Sequence, residues 1–430
     1  MDSRQKKRLN RIQNFLILAL TLSAAALLVH TQLSHTNQTV NRYFSQLFAG
    51  SPSPAAQSGV TALTDLSVPV QVAVTGTYGR YGSMAMSTTD EAFSPLGTLL
   101  GEAVGSAGDT RSVPPAEFRS ALEIRDGSVS LYFDFGNPLP MSVVAGLVNV
   151  SWTGADLSAR RLLLYADDSG SLLYLWDGAE ECLLCSTAVS AASLRELADS
   201  YPQGGAFFAF DQWEERNALA PFSLFTSDLP EYPVLSAGPL SLDFDALLST
   251  LAFNPHTNFR YTESSGAEVV VESDRSVRIR MDGSIAYQSS AAGPLAIAPA
   301  NHSLTDAEAV TGVFRLLNEL RAGSEGGAVL YLRSVGHSGA VTTLAFDYQY
   351  NGLPIVFSDG SPAAEVRLEN GAVTRLTLRL RQYTATESTD LLLPLTQAEA
   401  IARRYPGAEL ALRYMDSGGD SLSAQWLANS

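Results

Sequence analysis

Residues 269–287 read VVVESDRSVRIRMDGSIAY, and this stretch decides the fold class of the chain. Apolar and polar residues alternate through VVVES and VRIRMDGSIAY, which is the two-residue period of half-buried antiparallel strands. Asp282 and Gly283 interrupt the second run, and a DG pair is a typical turn of a two-residue hairpin. The stretch therefore predicts antiparallel strands joined by tight turns.

Helix and strand signals continue on both sides of this stretch. The amphipathic segment DFDALLSTLAF precedes it, and a helical pattern over residues 305–321 follows it. Upstream, a helix-like stretch lies near residues 93–104, and apolar strands at 128–135, 161–165 and 172–176 are separated by the turn signals DG, DDSG and DG. Antiparallel sheets with packed helices place the chain in the α+β class.

The C-terminal part contains a weak helix-plus-strands repeat. LTDAEAV, which begins at Leu304, resembles LTQAEAI, which begins at Leu395. Each has a Thr followed three residues later by a Glu, which is the signature of a capping box at a helix start. Each segment leads into a strand, a turn of small residues and a second strand. The alternative is that two unrelated helices begin with the same common residues.

Charge is distributed very unevenly along the chain. The formal net charge is −16, which argues against nucleic acid as a partner because phosphate binding requires clustered Lys and Arg. The only two lysines, Lys6 and Lys7, lie with three arginines in the first eleven residues. The N-terminus is therefore a basic segment on an acidic protein.

An uncharged apolar run, IQNFLILALTLSAAALLV, follows this basic segment and predicts a transmembrane helix over residues 12–33. Basic residues are retained in the cytoplasm, so we expect a single-pass protein of the cell membrane with its N-terminus cytoplasmic and its C-terminal domains extracytoplasmic. A cleaved secretory signal is the competing interpretation, and it would also export the rest. A buried soluble helix is disfavoured because the run has no polar face.

Small side chains recur four residues apart within the predicted span, at Ala19 and Ser23 and again at Thr21 and Ala25. Such spacing permits close contact between membrane helices. It also arises by chance in any alanine-rich apolar helix. We expect any contact with a partner helix to use these positions.

Composition shifts divide the chain into predicted segments. Proline and small residues in SPSPAAQSG indicate a stalk, and PEYPVLSAGP indicates a boundary between two domains. The expected organisation is a cytoplasmic basic segment (1–11), the transmembrane helix (12–33), the stalk (34–59), a first extracytoplasmic α+β domain (60–235), a second one (240–390) and a C-terminal helix-plus-hairpin repeat unit (391–430).

The sequence lacks the motifs of common catalytic and metal sites. None of its five histidines has HExxH spacing, and no GxSxG elbow is present. Four acidic residues, Asp126, Asp177, Asp282 and Asp359, precede Gly and indicate turns. We therefore expect a non-enzymatic protein with no cofactor and no metal, although an exported enzyme of unfamiliar type stays an alternative.

Cys182 and Cys185 are the only cysteines, and they form a CxxC motif in ECLLC. One pair does not make a four-cysteine zinc site, and a position after a DG turn differs from that of thioredoxin-like redox motifs. Outside the cytoplasm, a local disulfide and two free thiols both remain open. A structural or incidental role is favoured over a reactive one.

Several strings resemble the YycH/YycI family, accessory regulators of the WalK-type sensor histidine kinase. They are the basic N-terminus with its anchor, PVQVAVTGTYGRYG, NPHTNFRYTESSGAEVVVESDRSVRIRMDGSIAYQ, FDYQYNGLPIVF and LENGAVTRLTLRLRQY. The resemblance covers nearly the whole chain, carries no catalytic residues and is strongest between Phe253 and Tyr383. It implies an anchored protein whose helix contacts the kinase's transmembrane helices and whose exterior α+β domains pair with a homologous family partner.

The expected function is thus that of a membrane-anchored extracytoplasmic regulator of a two-component sensor histidine kinase involved in cell-wall homeostasis. The alternative is a tethered extracytoplasmic binding module for a cell-wall fragment or peptide. A pocket lined by aromatics such as Tyr261, Tyr287, Tyr348 and Tyr350 would favour the alternative. Packing within strands is the simpler interpretation of these tyrosines.

Overall fold

The computed structural model describes residues 63–429, apart from 203, 213–218, 227–230, 291–293, 300–301 and 323–325. The predicted transmembrane helix and stalk lie outside these residues. Within the described part of the chain, no helix is long and apolar enough to cross a membrane. The described residues belong to one compact unit, Ala55–Ser430, and the domain boundaries proposed inside it stay predictions.

The first large sheet has seven strands in the order β2-β1-β4-β5-β6-β7-β3, and every neighbouring pair is antiparallel. Leu162, Leu163 and Leu164 on its central strand are fully buried, so both of its faces are covered. Its strands are β1 (Gln71–Gly76), β2 (Gly79–Ser83), β3 (Gly108–Val113), β4 (Val129–Pro140), β5 (Ser158–Asp167), β6 (Gly170–Trp176) and β7 (Cys182–Ser186).

Four helices accompany this sheet: α1 (Ser94–Gly105), α2 (Pro115–Leu122), α3 (Met141–Leu147) and α4 (Ala191–Asp199). Helix α4 packs on β1, β4 and β5, and α2 and α3 both pack against β4. Phe118 of α2 is fully buried and contacts the rings of Tyr132, Trp176 and Phe222. The helices therefore bury the apolar faces of the central strands.

The second large sheet has eleven strands in the order β11-β12-β13-β14-β19-β18-β16-β17-β21-β23, with β15 paired to β16 off this path. Among the strand pairs of this sheet in the described part of the chain, β17–β21 is the parallel one. Its strands are β11 (Phe259–Thr262), β12 (Glu268–Glu272), β13 (Arg275–Ile279), β14 (Ser284–Gln288), β15 (Val329–Ser338), β16 (Val341–Tyr350), β17 (Leu353–Phe357), β18 (Ala364–Glu369), β19 (Ala372–Arg379), β21 (Glu409–Asp416) and β23 (Ala424–Asn429).

Residues 269–287 lie in β12, β13 and β14 and in the turns between them, and these strands pair antiparallel. Gly283 has φ +82° in the turn between β13 and β14, a conformation that glycine adopts without strain. The hairpin prediction at Asp282 and Gly283 is confirmed, and so is the α+β class with mainly antiparallel sheets.

Two smaller sheets complete the strand arrangement. The first has the order β20-β10-β22, so β10, from the middle of the chain, pairs with two C-terminal strands. The second is the pair β8–β9. Their bounds are β8 (Ala206–Phe208), β9 (Leu224–Thr226), β10 (Pro233–Pro239), β20 (Arg381–Thr389) and β22 (Ser421–Leu422).

Three helices accompany the C-terminal strands: α5 (Phe244–Thr250), α6 (Asp306–Leu320) and α7 (Leu395–Ala402). At α6 the capping box is confirmed, because the Thr305 side chain accepts from the Glu308 amide and the Glu308 side chain accepts from the Thr305 amide. The same prediction at Thr396 and Glu399 is wrong. Helix α7 begins one residue before Thr396, has Pro394 as its N-cap and has no side-chain cap.

Candidate functional site: a cleft between the two large sheets

A cleft of about 350 Å³ lies between the two large sheets. One wall comes from residues before and within β1 and from β4. The other comes from β15, β16, β17, β21 and β23. Its polar lining includes Asp134, Asn137, Tyr331, Arg333, Asp347 and Arg413, and its apolar lining includes Phe135, Pro354, Val356, Phe357, Met415 and Leu427.

Strand alternation explains why an acidic residue of β16 reaches this cleft. Leu344, Phe346 and Tyr348 point to one face of β16 and are fully buried in the core. Asp347 lies between two of them in sequence and points to the opposite face, because successive side chains of a strand alternate. That face of β16 lines the cleft.

A buried ion cluster joins the two sheets beside the cleft. Asp134 on β4 accepts hydrogen bonds from Arg160 Nε at 2.8 Å and Arg161 Nε at 3.0 Å. Arg160 Nη2 also donates to Glu409 Oε2 of β21 at 2.6 Å, and Arg161 contacts the other oxygen of Glu409. The cluster therefore connects β4 and β5 of the first sheet to β21 of the second.

The charge state of Asp134 follows from these contacts. Burial alone would raise the pKa of this carboxyl, but the guanidinium groups of Arg161 and Arg160 and the amide of Gly136 more than offset it. The pKa of Asp134 is consequently held well below its usual range. Asp134 is an ionised, fully paired anion at neutral pH.

At Asp347 burial outweighs the contacts that favour the ionised form, which is the opposite of the situation at Asp134. Its side chain accepts from the Ala363 amide at 3.0 Å and from Arg333 Nη1 at 3.3 Å. Burial raises the pKa of Asp347 above its usual value, although Arg333 and Arg413 oppose the shift. The longer contact with a single, partly exposed guanidinium does not offset the desolvation of this carboxylate.

A second set of contacts fixes the sheets at the edge of the cleft. Gln349 Nε2 on β16 donates to the carbonyl of Ser67 at 2.6 Å. The turn at Asn351 and Gly352, between β16 and β17, packs so closely that a Cβ at Gly352 would lie 2.5 Å from the Met86 backbone nitrogen. The walls of the cleft are therefore held by backbone contacts as well as by charge.

The two cysteines lie on β7, away from the cleft, as buried free thiols. Their separation of three residues points the side chains to opposite faces of the strand. Burial, followed by the neighbouring Cys185, raises the pKa of Cys182 to about 12, and burial also raises the pKa of Cys185. Thiols in this state are weak nucleophiles, since the thiolate is the reactive form.

The other predicted positions are scattered. Ala19, Ser23, Thr21 and Ala25 lie outside the described residues. Tyr287 and Tyr348 are buried in the core, Tyr350 is half-buried, and Tyr261 is exposed on β11. None of these four tyrosines lines the cleft.

Two of the described histidines contact acidic residues in the first turn of helix α6. His302 contacts Glu308 at 3.1 Å, and His337 contacts Asp306 at 3.0 Å. Within the described ranges, no three His, Cys, Asp or Glu side chains form a group that could hold a metal ion.

Sequence reasoning recognised the acids in turns and missed those in strands. The side chains of Asp177, Asp282 and Asp359 each accept an amide hydrogen bond two residues on, as turn residues do. Asp134 and Asp347 stand inside the apolar strand runs LYFDF and LAFDY. A charged residue in such a run is the signal that could have identified both, because buried charges require partners.

No family model, no curated protein and no solved structure matches the chain.

Proposed function

We propose that this chain is a non-enzymatic, membrane-anchored extracytoplasmic regulator of a two-component sensor histidine kinase involved in cell-wall homeostasis. The observation that carries the proposal is the order of segments: a basic N-terminus, an uncharged run at residues 12–29, and then a large α+β unit, an order that supports export of that unit. The resemblance to the YycH/YycI family supplies the kinase as the partner.

The membrane span is the element through which the regulator acts in this proposal. A helix over residues 12–33 would contact the transmembrane helices of the kinase, with small side chains at the contact. The pairs Ala19/Ser23 and Thr21/Ala25 are the two candidate faces. They are separable by mutation because they lie about 160° apart around a helix of 3.6 residues per turn.

The exterior domains would pair with a homologous protein. Strand β11 is an edge of the eleven-stranded sheet, and Phe259 and Tyr261 on it are 67% and 43% exposed. Exposed aromatics on a sheet edge support contact with another protein, since isolated edges are usually covered or charged.

The helix-plus-strands repeat belongs to the same proposal. Helix α6 is followed by the antiparallel pair β15–β16, and α7 is followed by the antiparallel pair β21–β23. This common order supports a duplicated unit in the C-terminal part.

Exchange of the anchor tests the proposal. Residues 1–29 are replaced by an unrelated single-pass anchor of the same topology, and a reporter of kinase output is measured in cells. We expect altered output at an unchanged protein level, because the contact with the kinase helices is lost. Unaltered output would contradict transmission through the span.

Paired substitutions then identify the contacting face. The double changes Ala19→Ile with Ser23→Ile, and Thr21→Ile with Ala25→Ile, each add bulk to one face of the same helix. Only the face that meets the kinase should change the reporter, so each variant is the control for the other.

A further inference from the structure

We infer that β11 is a self-pairing edge, at which two copies of this chain join their eleven-stranded sheets by antiparallel pairing around Tyr261. The inference deepens the exterior pairing of the proposed function and rests on it, because the membrane anchor is what would bring two copies together. It names the occupant of this edge as a second copy of this chain and not a different homologous protein.

The two edges of the seven-stranded sheet are protected against such pairing. Strand β2 is covered, because its Arg80 carbonyl accepts from the Gly204 amide at 3.2 Å. Strand β3 carries the exposed, charged residues Asp109 and Arg111, and its register with β7 is irregular between Gly108 and Arg111. Charges and bulges are devices that stop an edge strand from pairing with another chain.

Strand β11 lacks these devices. It contains no proline, and its register with β12 is regular from Phe259 to Thr262. Its one charged residue, Arg260, is turned back onto its own sheet, since its guanidinium carbon lies 3.7 Å from the centre of the Phe244 ring and its Nε donates to Glu268 at 3.1 Å. In the described part of the chain, no strand pairs with the side of β11 that faces away from β12.

The hairpin geometry shows which backbone groups of β11 point outward. The Glu263 amide donates to the Ala267 carbonyl at 2.8 Å, so these two residues form a hydrogen-bonded pair next to the hairpin turn. Such pairs alternate with non-hydrogen-bonded ones, so the backbone of Tyr261 faces β12, and the amides and carbonyls of Arg260 and Thr262 point away from it. Four backbone groups are thus available to a further strand.

One register of a second copy uses all four of these groups. Arg260 of each copy then lies opposite Thr262 of the other, and the two Tyr261 residues face each other on a two-fold axis. A register with Arg260 opposite itself would place like charges together and would need the Asn258 amide, which already donates to the Asn254 carbonyl at 3.2 Å. A register centred on Thr262 would leave Arg260 beyond the end of the opposing strand.

The register centred on Tyr261 also buries exposed aromatic surface. Phe259 and Tyr261 lie on one face of β11 with ring centroids 5.9 Å apart, and they are 67% and 43% exposed. Opposite residues of a non-hydrogen-bonded pair approach to about 4.5 Å between Cα atoms, so the two Tyr261 side chains would pack together. The interface is small, so we expect pairing between anchored copies, whose effective concentration is high, and not a tight complex in dilute solution.

Disulfide trapping in membranes tests this register. Tyr261→Cys places one thiol of each copy at the axis, where a Cα–Cα distance of about 4.5 Å permits a disulfide. Phe259→Cys is the matched control, because in this register the two copies of residue 259 are four residues out of alignment, about 14 Å apart. Full-length variants are oxidised with copper phenanthroline in the membranes of the expressing cells, and dimer is measured on non-reducing gels.

We expect Tyr261→Cys to give a dimer of twice the chain mass, at a yield at least about fivefold that of Phe259→Cys, although residue 259 is the more exposed of the two. Adding Thr262→Pro to Tyr261→Cys should lower that yield to the level of the control, because proline removes an outward amide that β12 does not use. The unaltered protein, with Cys182 and Cys185 buried, sets the background.

Equal yields from Tyr261→Cys and Phe259→Cys would overturn the inference, since random collision would then explain both. A yield that Thr262→Pro leaves unchanged, a crosslinked product of another mass, or no product above the background would also overturn it. The anchor-exchange experiment measures kinase output and uses the unaltered β11, so failure of this inference and failure of the proposed function are distinguishable.

Discussion

At the scale of single residues, the pKa values of two buried carboxylates in one cleft are shifted in opposite directions. The side chains of Asp134 and Asp347 are each 4% exposed. Asp134 has two guanidiniums at 2.8 and 3.0 Å, whereas Asp347 has one at 3.3 Å. Because burial is equal, the number of guanidinium groups and their distance from the carboxylate decide whether the ionised form stabilises the fold.

The first prediction concerns the ion cluster. Asp134→Asn should destabilise the protein by about 3 kcal/mol at pH 7, because it leaves the buried guanidinium of Arg161 and the half-buried one of Arg160 without part of their counter-charge. The midpoint of urea denaturation measures the effect. Glu123→Gln is the control, since Glu123 and Arg125 form an exposed pair worth less than about 1 kcal/mol. Equal shifts in the two variants would contradict the assignment.

The pH dependence of this effect follows from the sign of the pKa shift. The folded-state pKa of Asp134 lies below the unfolded value of about 3.9, so its ionised form stabilises the fold above that value. This stabilisation is lost as the pH falls through the folded pKa. The difference between the unaltered protein and Asp134→Asn should therefore shrink below about pH 4.

The second prediction is that removing the charge of Asp347, unlike that of Asp134, does not lower the free energy of unfolding appreciably. The folded-state pKa of Asp347 is raised, so the cost of this carboxyl to stability develops as the pH rises above the unfolded value and is fully present above the folded pKa. Asp347→Asn keeps an oxygen for the Ala363 amide, and it should leave the free energy of unfolding at pH 7 within about 1 kcal/mol or increase it. Urea denaturation beside Asp134→Asn gives the comparison. A loss as large as that of Asp134→Asn would show that Asp347 belongs to a stabilising ion pair.

At the scale of secondary-structure elements, the two similar segments LTDAEAV and LTQAEAI begin their helices differently. Thr305 caps α6 through its side chain, whereas α7 begins after Pro394 without a side-chain cap. A proline before a helix restricts the preceding chain and changes which residue occupies the cap position. Similar motifs therefore begin helices that are stabilised by different contacts at their first turn.

The third prediction uses this difference. Thr305→Ala should destabilise the protein by about 1 kcal/mol, because the amide of Glu308 loses its acceptor. Thr396→Ala is the matched control and should change stability by less than about 0.5 kcal/mol. Both effects are measured by urea denaturation of the same preparation. A larger loss from Thr396→Ala would mean that α7 is capped by its threonine after all.

The fourth prediction concerns two hairpins of the same sheet. Gly352 has φ +78° and its Cβ position is blocked by the Met86 backbone, whereas Gly339 has φ +62° with nothing within 4 Å of its Cβ position. Gly339→Ala should cost about 1 kcal/mol for the left-handed conformation alone. Gly352→Ala should lower the thermal midpoint considerably more, because the backbone contact between the walls of the cleft must also shift. Equal losses would contradict that close approach.

Local signals were sufficient for many of these elements. The helix predicted over residues 305–321 is α6, Asp306–Leu320, and the strand predicted at 172–176 lies within β6, Gly170–Trp176. Both depend on periodicity and on residues next to the element. The parallel pair β17–β21 left no such signal, because its two strands are brought together by packing rather than by a turn.

At the scale of the whole molecule, the cleft could not be predicted from the sequence. Arg160 and Glu409 are 249 residues apart, and Gln349 and Ser67 are 282 apart. These contacts create the site by placing one sheet against the other. Sequence patterns report which face of a strand is apolar, but they do not report which other strand that face meets.

The fifth prediction addresses the proposed action on a kinase. In the proposed topology, the basic segment would hold the N-terminus of the predicted span at the cytoplasmic side, and Ala19, Ser23, Thr21 and Ala25 would lie within the bilayer. A photo-crosslinking amino acid at one of these positions reports directly on what touches the helix. Residues of the predicted stalk, such as Ser53, would lie outside the bilayer and provide the control.

Crosslinking from the span in living cells, followed by mass spectrometry of the captured proteins, tests the central claim most directly. The account predicts that a sensor histidine kinase is captured from the face Ala19/Ser23 or the face Thr21/Ala25, and not from Ser53. Capture of lipids alone, or of unrelated proteins equally from both faces, would contradict it and leave the span as a tether for the exterior domains.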